Sequence, residues 1–180
     1  MRSRARARFF ASLAWSAALA TAAFADDRFG FGQPVAALDV AAWNVDVAPS
    51  GSLPAGQGSV ADGLRVYAST CAQCHGSNGQ GGPMDRLVGG SGTLNTATPV
   101  KTIGSYWPYA TTIFDYIRRA MPFDRPGTLT NDQVYAVTAY LLNQNGIVAP
   151  GAVMNARTLK GVVMPNHGRF IEHDPRPDAP

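Results

Sequence analysis

The five residues Cys71-Ala72-Gln73-Cys74-His75 constrain this chain more than any other stretch. Two thiols separated by two residues and followed at once by an imidazole form the attachment pattern for c-type haem. The spacing has a mechanical reason. The thiols add to the two vinyl groups on one side of a porphyrin, and the next residue projects its imidazole at the iron. Cys71 and Cys74 are the chain's two cysteines, so one chain cannot build a four-thiolate zinc or iron–sulfur site. The rival is a thioredoxin-like dithiol, which has no need of His75 and usually opens a helix after a strand. Here Ser59-Val60-Ala61-Asp62 reads as a capped helix start, and the helical stretch Val60 to Ala68 runs directly into the motif. The haem reading is the stronger. It makes Cys71 and Cys74 the thioether anchors of one covalent haem c and His75 an axial ligand of its iron.

The beginning of the chain points to export. Arg2, Arg4, Arg6 and Arg8 form a positive segment, Phe9 to Ala20 is an apolar run, and Ala23-Phe24-Ala25 supplies a small-x-small cleavage pattern. The uncharged stretch from Phe9 to Ala25 is 17 residues, short of the roughly 20 that a membrane-spanning helix needs. Residues 1–25 are therefore expected to be a signal peptide, with a periplasmic product and no membrane span in the mature chain. Removing them takes four of the 15 basic residues and none of the 12 acidic ones, leaving eleven against twelve. The mature chain is then close to neutral, with no basic stripe of the kind nucleic acid requires. Nucleic-acid binding is excluded. The remaining 155 of 180 residues suit one domain with a modest core.

A c-type haem usually takes a sixth ligand. Met121 lies 50 residues past Cys71, enough chain to pass the haem edge and return on the far side. It ends an apolar-periodic segment (Ile113, Phe114, Ile117), and Pro122 biases it toward extended backbone, which presents a thioether well. A methionine here also serves as core filler. Histidine–methionine pairing is a common electron-transfer arrangement, which favours Met121 as the second axial ligand. Met84 is too close to His75 to reach the opposite face easily. Met164 competes because Met164-Pro165 repeats the dipeptide, while His167 and His173 offer a bis-histidine site from a proline-rich tail. Met154 reads as packing.

The expected fold is all-α, with three main helices. The first spans about Val60 to Ala68 and the second about Thr111 to Ala120. The third opens at Thr130, with Gln133 completing a capping box, and stops by Gly146. Gly63, costly inside a helix, is explained if the third helix crosses closely there and lets Tyr67 and Tyr140 pack nearby. The glycine-rich loop Gly76 to Gly92 has no phosphate-loop spacing and reads as backbone covering the haem, with the Pro83 carbonyl as the expected acceptor for His75 Nδ1–H. Tyr106 and Trp107 are either aromatic packing or hydrogen-bond donors to a haem propionate. Arg118, Arg119 and Arg125 read as a solvated face or a docking patch. Residues 59–146 then form the haem domain, flanked by arms at 26–58 and 147–180. Large apolar residues in the arms (Phe29, Phe31, Trp43, Val153, Leu159, Phe170) imply packing on the domain or on another protein.

Taken together, these features resemble the class I cytochromes c: helix, CxxCH, Met-Pro loop, terminal helix. Three segments are similar to SoxD, the cytochrome subunit of periplasmic sulfur dehydrogenases. They are Asp85-Arg86-Leu87-Val88-Gly89-Gly90, Gly104-Ser105-Tyr106-Trp107-Pro108-Tyr109-Ala110 and Tyr116-Ile117-Arg118-Arg119-Ala120-Met121-Pro122-Phe123. The likeness extends into both arms through Phe29-Gly30-Phe31-Gly32, Trp43-Asn44-Val45-Asp46-Val47 and Val163-Met164-Pro165-Asn166. The resemblance implies a molybdenum-cofactor partner subunit of the SoxC kind, a sulfur or sulfite dehydrogenase activity in the complex, and a soluble cytochrome c as electron acceptor. It assigns Cys71 and Cys74 to the thioether links, His75 to the proximal side and Met121 to the distal side. Some SoxD proteins hold two haems, whereas this chain has a single CxxCH.

A free-standing periplasmic electron shuttle is the milder alternative. A haem enzyme or gas sensor with an open sixth position is another, and it requires Met121 to be mere core. With both axial positions filled, no catalytic site is expected on this chain. The mature protein is predicted to start at Asp26 on N-terminal sequencing; an intact Met1 on the native protein would contradict export with cleavage.

Overall fold

The computed structural model describes residues 35–43 and 46–170. The signal segment 1–25, Asp26, Phe29, Phe31, Asn44, Val45 and His173 lie outside the described residues, as does the side chain of Trp43. Five α-helices and one short two-stranded sheet are present among the described residues. Helix α1, Ala37–Trp43, belongs to a unit of its own and carries Asp39 in its first turn, where a negative charge suits the helix dipole.

In the second unit the order is β1 (Gln57–Ser59), α2 (Val60–Thr70), α3 (Ala72–His75), α4 (Ala110–Ala120), α5 (Asn131–Gln144) and β2 (Val153–Asn155). Helix α2 starts where the sequence says it should. The Ser59 hydroxyl accepts the Asp62 N–H at 3.1 Å, and the Asp62 carboxylate reaches back to the Ser59 N–H. Thr130 and Gln133 do the same for α5, at 3.3 and 2.9 Å. Such reciprocal caps satisfy amides that a helix start leaves without partners. Gly146, with φ 68°, lies just past the end of α5.

The α2–α5 crossing sets the core. A Cβ on Gly63 would stand 1.9 Å from the Ala136 carbonyl oxygen, and one on Gly58 would stand 2.2 Å from the Ala136 nitrogen. Both glycines are therefore required by close backbone approach, not by turn geometry. The expected pairing follows: the Tyr67 and Tyr140 rings lie 5.0 Å apart, and both residues are buried. Helix α4 supplies Ala110, Ile113, Phe114 and Ile117 at i, i+3, i+4 and i+7, one apolar stripe that packs into the same core. Phe114 meets Tyr135 of α5 at 4.4 Å, and both are fully buried. Burying a large apolar side chain of this kind contributes roughly 1.5–3 kcal/mol.

The segments flanking the three main helices pack on this core. β1 and β2 pair antiparallel, with Gly58 opposite Met154. No strand was expected here, because three residues are too few to show an alternating pattern. The pair does not revive the dithiol reading, since all of α2 separates β1 from Cys71. Met154, Leu159 and Met164 are 5, 1 and 2 % exposed and belong to the core cluster. Leading into β1, residues 46–57 form a strap across α4 and the start of α5. Thr111 Oγ1 donates to the Pro49 carbonyl at 3.2 Å, Tyr135 Oη to the Pro54 carbonyl at 2.8 Å, and the Gln57 N–H to Asp132 at 2.7 Å.

The strap's strongest tether is Asp115. Its buried carboxylate accepts the Val47 N–H at 2.6 Å and a two-pronged contact from Arg119 one turn on, at 3.0 and 2.6 Å. Arg119 stays exposed, in keeping with a solvated face, and from there its guanidinium reaches the i, i−4 carboxylate. Burial tends to raise the Asp115 pKa, but hydrogen bonds from Arg119 and Val47 outweigh it and hold the carboxyl below its usual range. A lowered folded pKa contributes stability above the unfolded value of about 3.9 and loses it as pH falls through the folded value. Asp115→Ala is predicted to cost about 1–3 kcal/mol, because the buried Val47 amide loses its acceptor. Denaturant titration and amide exchange at Val47 check this. The mutant should also lose part of the wild type's acid-dependent destabilisation below pH 4, and unchanged Val47 protection would contradict the tether.

Candidate haem site

Cys71 sits at the junction of α2 and α3, its N–H donating to the Tyr67 carbonyl at 2.8 Å. The Cys74 and His75 amides both donate to the Cys71 carbonyl, at 3.1 and 3.0 Å, so the motif is one helical turn. Residues three and four apart on a turn share a face, which puts both sulfurs and the imidazole on the same side. Both cysteines are unbridged and half-buried. Burial, with the neighbouring Cys74, pushes the Cys71 thiol up to about 11. A redox dithiol needs a depressed thiol pKa, and this environment does the opposite. A thioether has no proton to lose and suits it.

His75 Nδ1 lies 2.7 Å from the Asp85 carbonyl oxygen. A carbonyl only accepts, so Nδ1 carries the proton and Nε2 keeps its lone pair for a metal. The expected acceptor was Pro83. The chain turns at residues 82–84, where Gly82 N–H donates to the Met84 carbonyl and Met84 N–H donates to Cys74, and the carbonyl that reaches the ring is Asp85's. Nothing in the side chains from Gly82 to Asp85 signals which of their carbonyls will do so.

Met121 ends α4. Its backbone is extended (φ −122°, ψ 150°), as Pro122 requires, and the Met121–Pro122 bond is cis. Its side chain is half-buried against the core cluster, as are those of Cys71, Leu87 and Trp107. The competing ligands are placed differently. Met164 is buried within the core, Met84 is about half exposed, and His167 packs edge-on against Tyr109 at 5.3 Å on the exposed tail. Of the two aromatic candidates, Trp107 packs inward and meets Tyr116 edge-on at 5.8 Å. Tyr106 lies at the surface, where its ring meets Phe170 at 5.4 Å and Lys101 Nζ at 5.1 Å. Asn166 Nδ2 donates to the Tyr106 carbonyl at 2.7 Å and fastens the tail beside it.

The donor set fits a c-type haem: two thiols and a correctly protonated imidazole on one turn, a methionine presented by extended backbone, and apolar neighbours. Sequence reasoning missed Asp115 and the Asp85 carbonyl. The pair Asp115–Arg119 was legible as an i, i+4 couple, whereas a backbone acceptor leaves no trace in side-chain pattern.

Residues 58–141 match the family described as cytochrome C oxidase, cbb3-type, subunit III. Among solved structures, the chain is similar to one in the sulfane dehydrogenase SoxCD of Paracoccus pantotrophus, with 41% sequence identity and a TM-score of 0.75, over 82% of this chain and 73% of that one. No curated protein matches this chain. The helix order, the Cys-x-x-Cys-His turn and this degree of identity over most of the chain agree: the protein belongs to the class I cytochrome c family, with the SoxD-type cytochromes, and is an electron-transfer cytochrome.

Proposed function

We propose that this chain is the monohaem electron-transfer subunit of a periplasmic, molybdenum-dependent sulfur or sulfite dehydrogenase of the Sox thiosulfate-oxidation type. The observation that carries the reading is the 41% identity to a chain of SoxCD over 82% of the length. Residues 59–146 are taken as the cytochrome domain, with a cleaved signal at 1–25 and arms at 26–58 and 147–180. Among the described residues no helix is long and apolar enough to cross a membrane, which is compatible with a periplasmic product.

In this reading Cys71 and Cys74 hold one haem c covalently, and His75 and Met121 are its axial ligands. Bound in this way, haem c supplies a one-electron iron couple whose potential responds to axial ligand, burial and hydrogen bonding. The chain's own residues set those conditions. The Asp85 carbonyl fixes the imidazole's orientation and proton. Leu87, Trp107 and Met121, partly buried against the core, supply apolar surface. Tyr106 and Trp107 are the candidate donors to a propionate; Trp107 packs against the core, and Tyr106 meets Phe170 and Lys101 at the surface. Electrons enter singly from a SoxC-like molybdenum subunit and leave to a soluble cytochrome c. Bond chemistry on the sulfur compound belongs to the partner.

Molybdenum and haem iron are predicted to rise and fall together when the protein is isolated gently from its native periplasm by gel filtration. Haem iron alone in a peak of monomer size would favour a free-standing shuttle. Met121→Ala is predicted to abolish the low-spin spectrum of the reduced protein and to open the iron to carbon monoxide. A mutant spectrum identical to the wild type's would remove Met121 from the ligand set.

A further inference from the structure

Tyr67 is fully buried four residues before Cys71. Packing there is served equally well by phenylalanine, and a buried phenol must find a partner for its hydroxyl. It donates to the carbonyl of Gly76, the residue immediately after His75, at 2.7 Å. The Gly79 N–H donates to that same carbonyl at 3.2 Å, so the phenol and this amide share one acceptor. Gly79 has φ 73°, and a Cβ there would stand 2.5 Å from Val88 Cγ2 and 3.6 Å from Tyr67 Oη. The 76–79 turn thus closes around the hydroxyl.

The turn is tied in its own right to the far side of the loop. The Gly79 carbonyl accepts the Leu87 and Val88 amides, at 2.8 and 2.9 Å. Two residues before Leu87 stands Asp85, whose carbonyl meets His75 Nδ1 at 2.7 Å. The other end of this short segment is held by Met84 N–H on the Cys74 carbonyl, at 2.9 Å. The Asp85 carbonyl is therefore strung between two clamps. One rests on the haem motif's own backbone, the other on the turn that Tyr67 braces.

We propose that Tyr67 is a positioning residue for the axial imidazole: its hydroxyl, through the 76–79 turn and the Leu87–Val88 amides, holds the Asp85 carbonyl on His75 Nδ1. The proposal rests on His75 being an iron ligand. A carbonyl held firmly on Nδ1–H makes the imidazole a stronger donor at Nε2, which stabilises the ferric state and lowers the potential. Burial pushes the phenol up to about 12, so it keeps its proton and stays a donor throughout the physiological range.

The test is Tyr67→Phe in the haem-loaded protein, with Tyr140→Phe as control for removing a hydroxyl from the same stacked pair. Proton exchange of His75 Nδ1–H and of the Leu87 and Val88 amides is followed by NMR, together with the reduction potential. Tyr67→Phe should speed exchange of all three protons roughly fivefold or more and raise the potential, while Tyr140→Phe leaves both unchanged. Unaltered exchange and potential in Tyr67→Phe, or an equal effect from Tyr140→Phe, would overturn the proposal. Should Tyr67→Phe not fold, exchange in the wild type decides: Gly79, Leu87 and Val88 must open as one cooperative unit, and independent opening overturns the link. His75 ring protons without a paramagnetic shift in the ferric wild type would mean that the haem reading itself had failed, and the proposal with it.

Discussion

The contact on which the rest depends is the backbone-to-backbone approach of α2 and α5 at Gly63 and Ala136. No side chain fits between them, so the two helices are fixed in both distance and register. That register puts Tyr67 against Tyr140 and ends α2 at Cys71, so the Cys-x-x-Cys-His turn begins from a rigid base. Helix α4 then docks its Ile113–Phe114–Ile117 stripe into the same core and ends at Met121. The motif turn and the methionine are 50 residues apart in sequence, yet both are carried on ends of helices that share one core. A site built on element ends of this kind is held by packing that the bound group need not supply.

The flanking segments add a second layer of constraint. Residues 46–57 lie along α4 and reach the N-terminus of α5, tethered by Asp115, Thr111, Tyr135 and Asp132. The strap therefore grips the helix that presents Met121. From the C-terminal side of the chain, β2, Leu159 and Met164 join the core, and Asn166 and His167 fasten the tail to the 106–109 aromatic segment. These segments bury apolar side chains in the haem domain itself. Exposed Val163 and Phe170 remain on the outer surface.

The helices were legible because their signals are local. Ser59 and Thr130 announce their caps, Ile113, Phe114 and Ile117 announce a stripe, and Pro122 announces an end. Even the Gly63 crossing was readable, since a glycine inside a capped helix demands a reason and a partner with aromatic residues at matching spacing stood nearby. The attachment motif was legible for the same cause: five adjacent residues carry its chemistry. What stayed hidden was non-local or made of backbone. The β1–β2 pair joins residues almost a hundred positions apart with three residues each. The Asp85 carbonyl is one of several in a glycine-rich loop, and its selection depends on where the 82–84 turn leaves the chain. Asp115 was overlooked because its second partner, the Val47 amide, lies 68 residues away. Tyr106 and Trp107 looked alike in sequence and were separated by the tail that covers one of them.

The central claim is that Cys71 and Cys74 hold one haem covalently, since every role given to His75, Met121, Asp85 and Tyr67 follows from it. Mass spectrometry of the native protein under denaturing conditions, after treatment with a thiol-alkylating reagent, tests it most directly. The account predicts the mass of the mature chain plus one haem, with neither cysteine alkylated. A bare polypeptide mass with two alkylated thiols would contradict it.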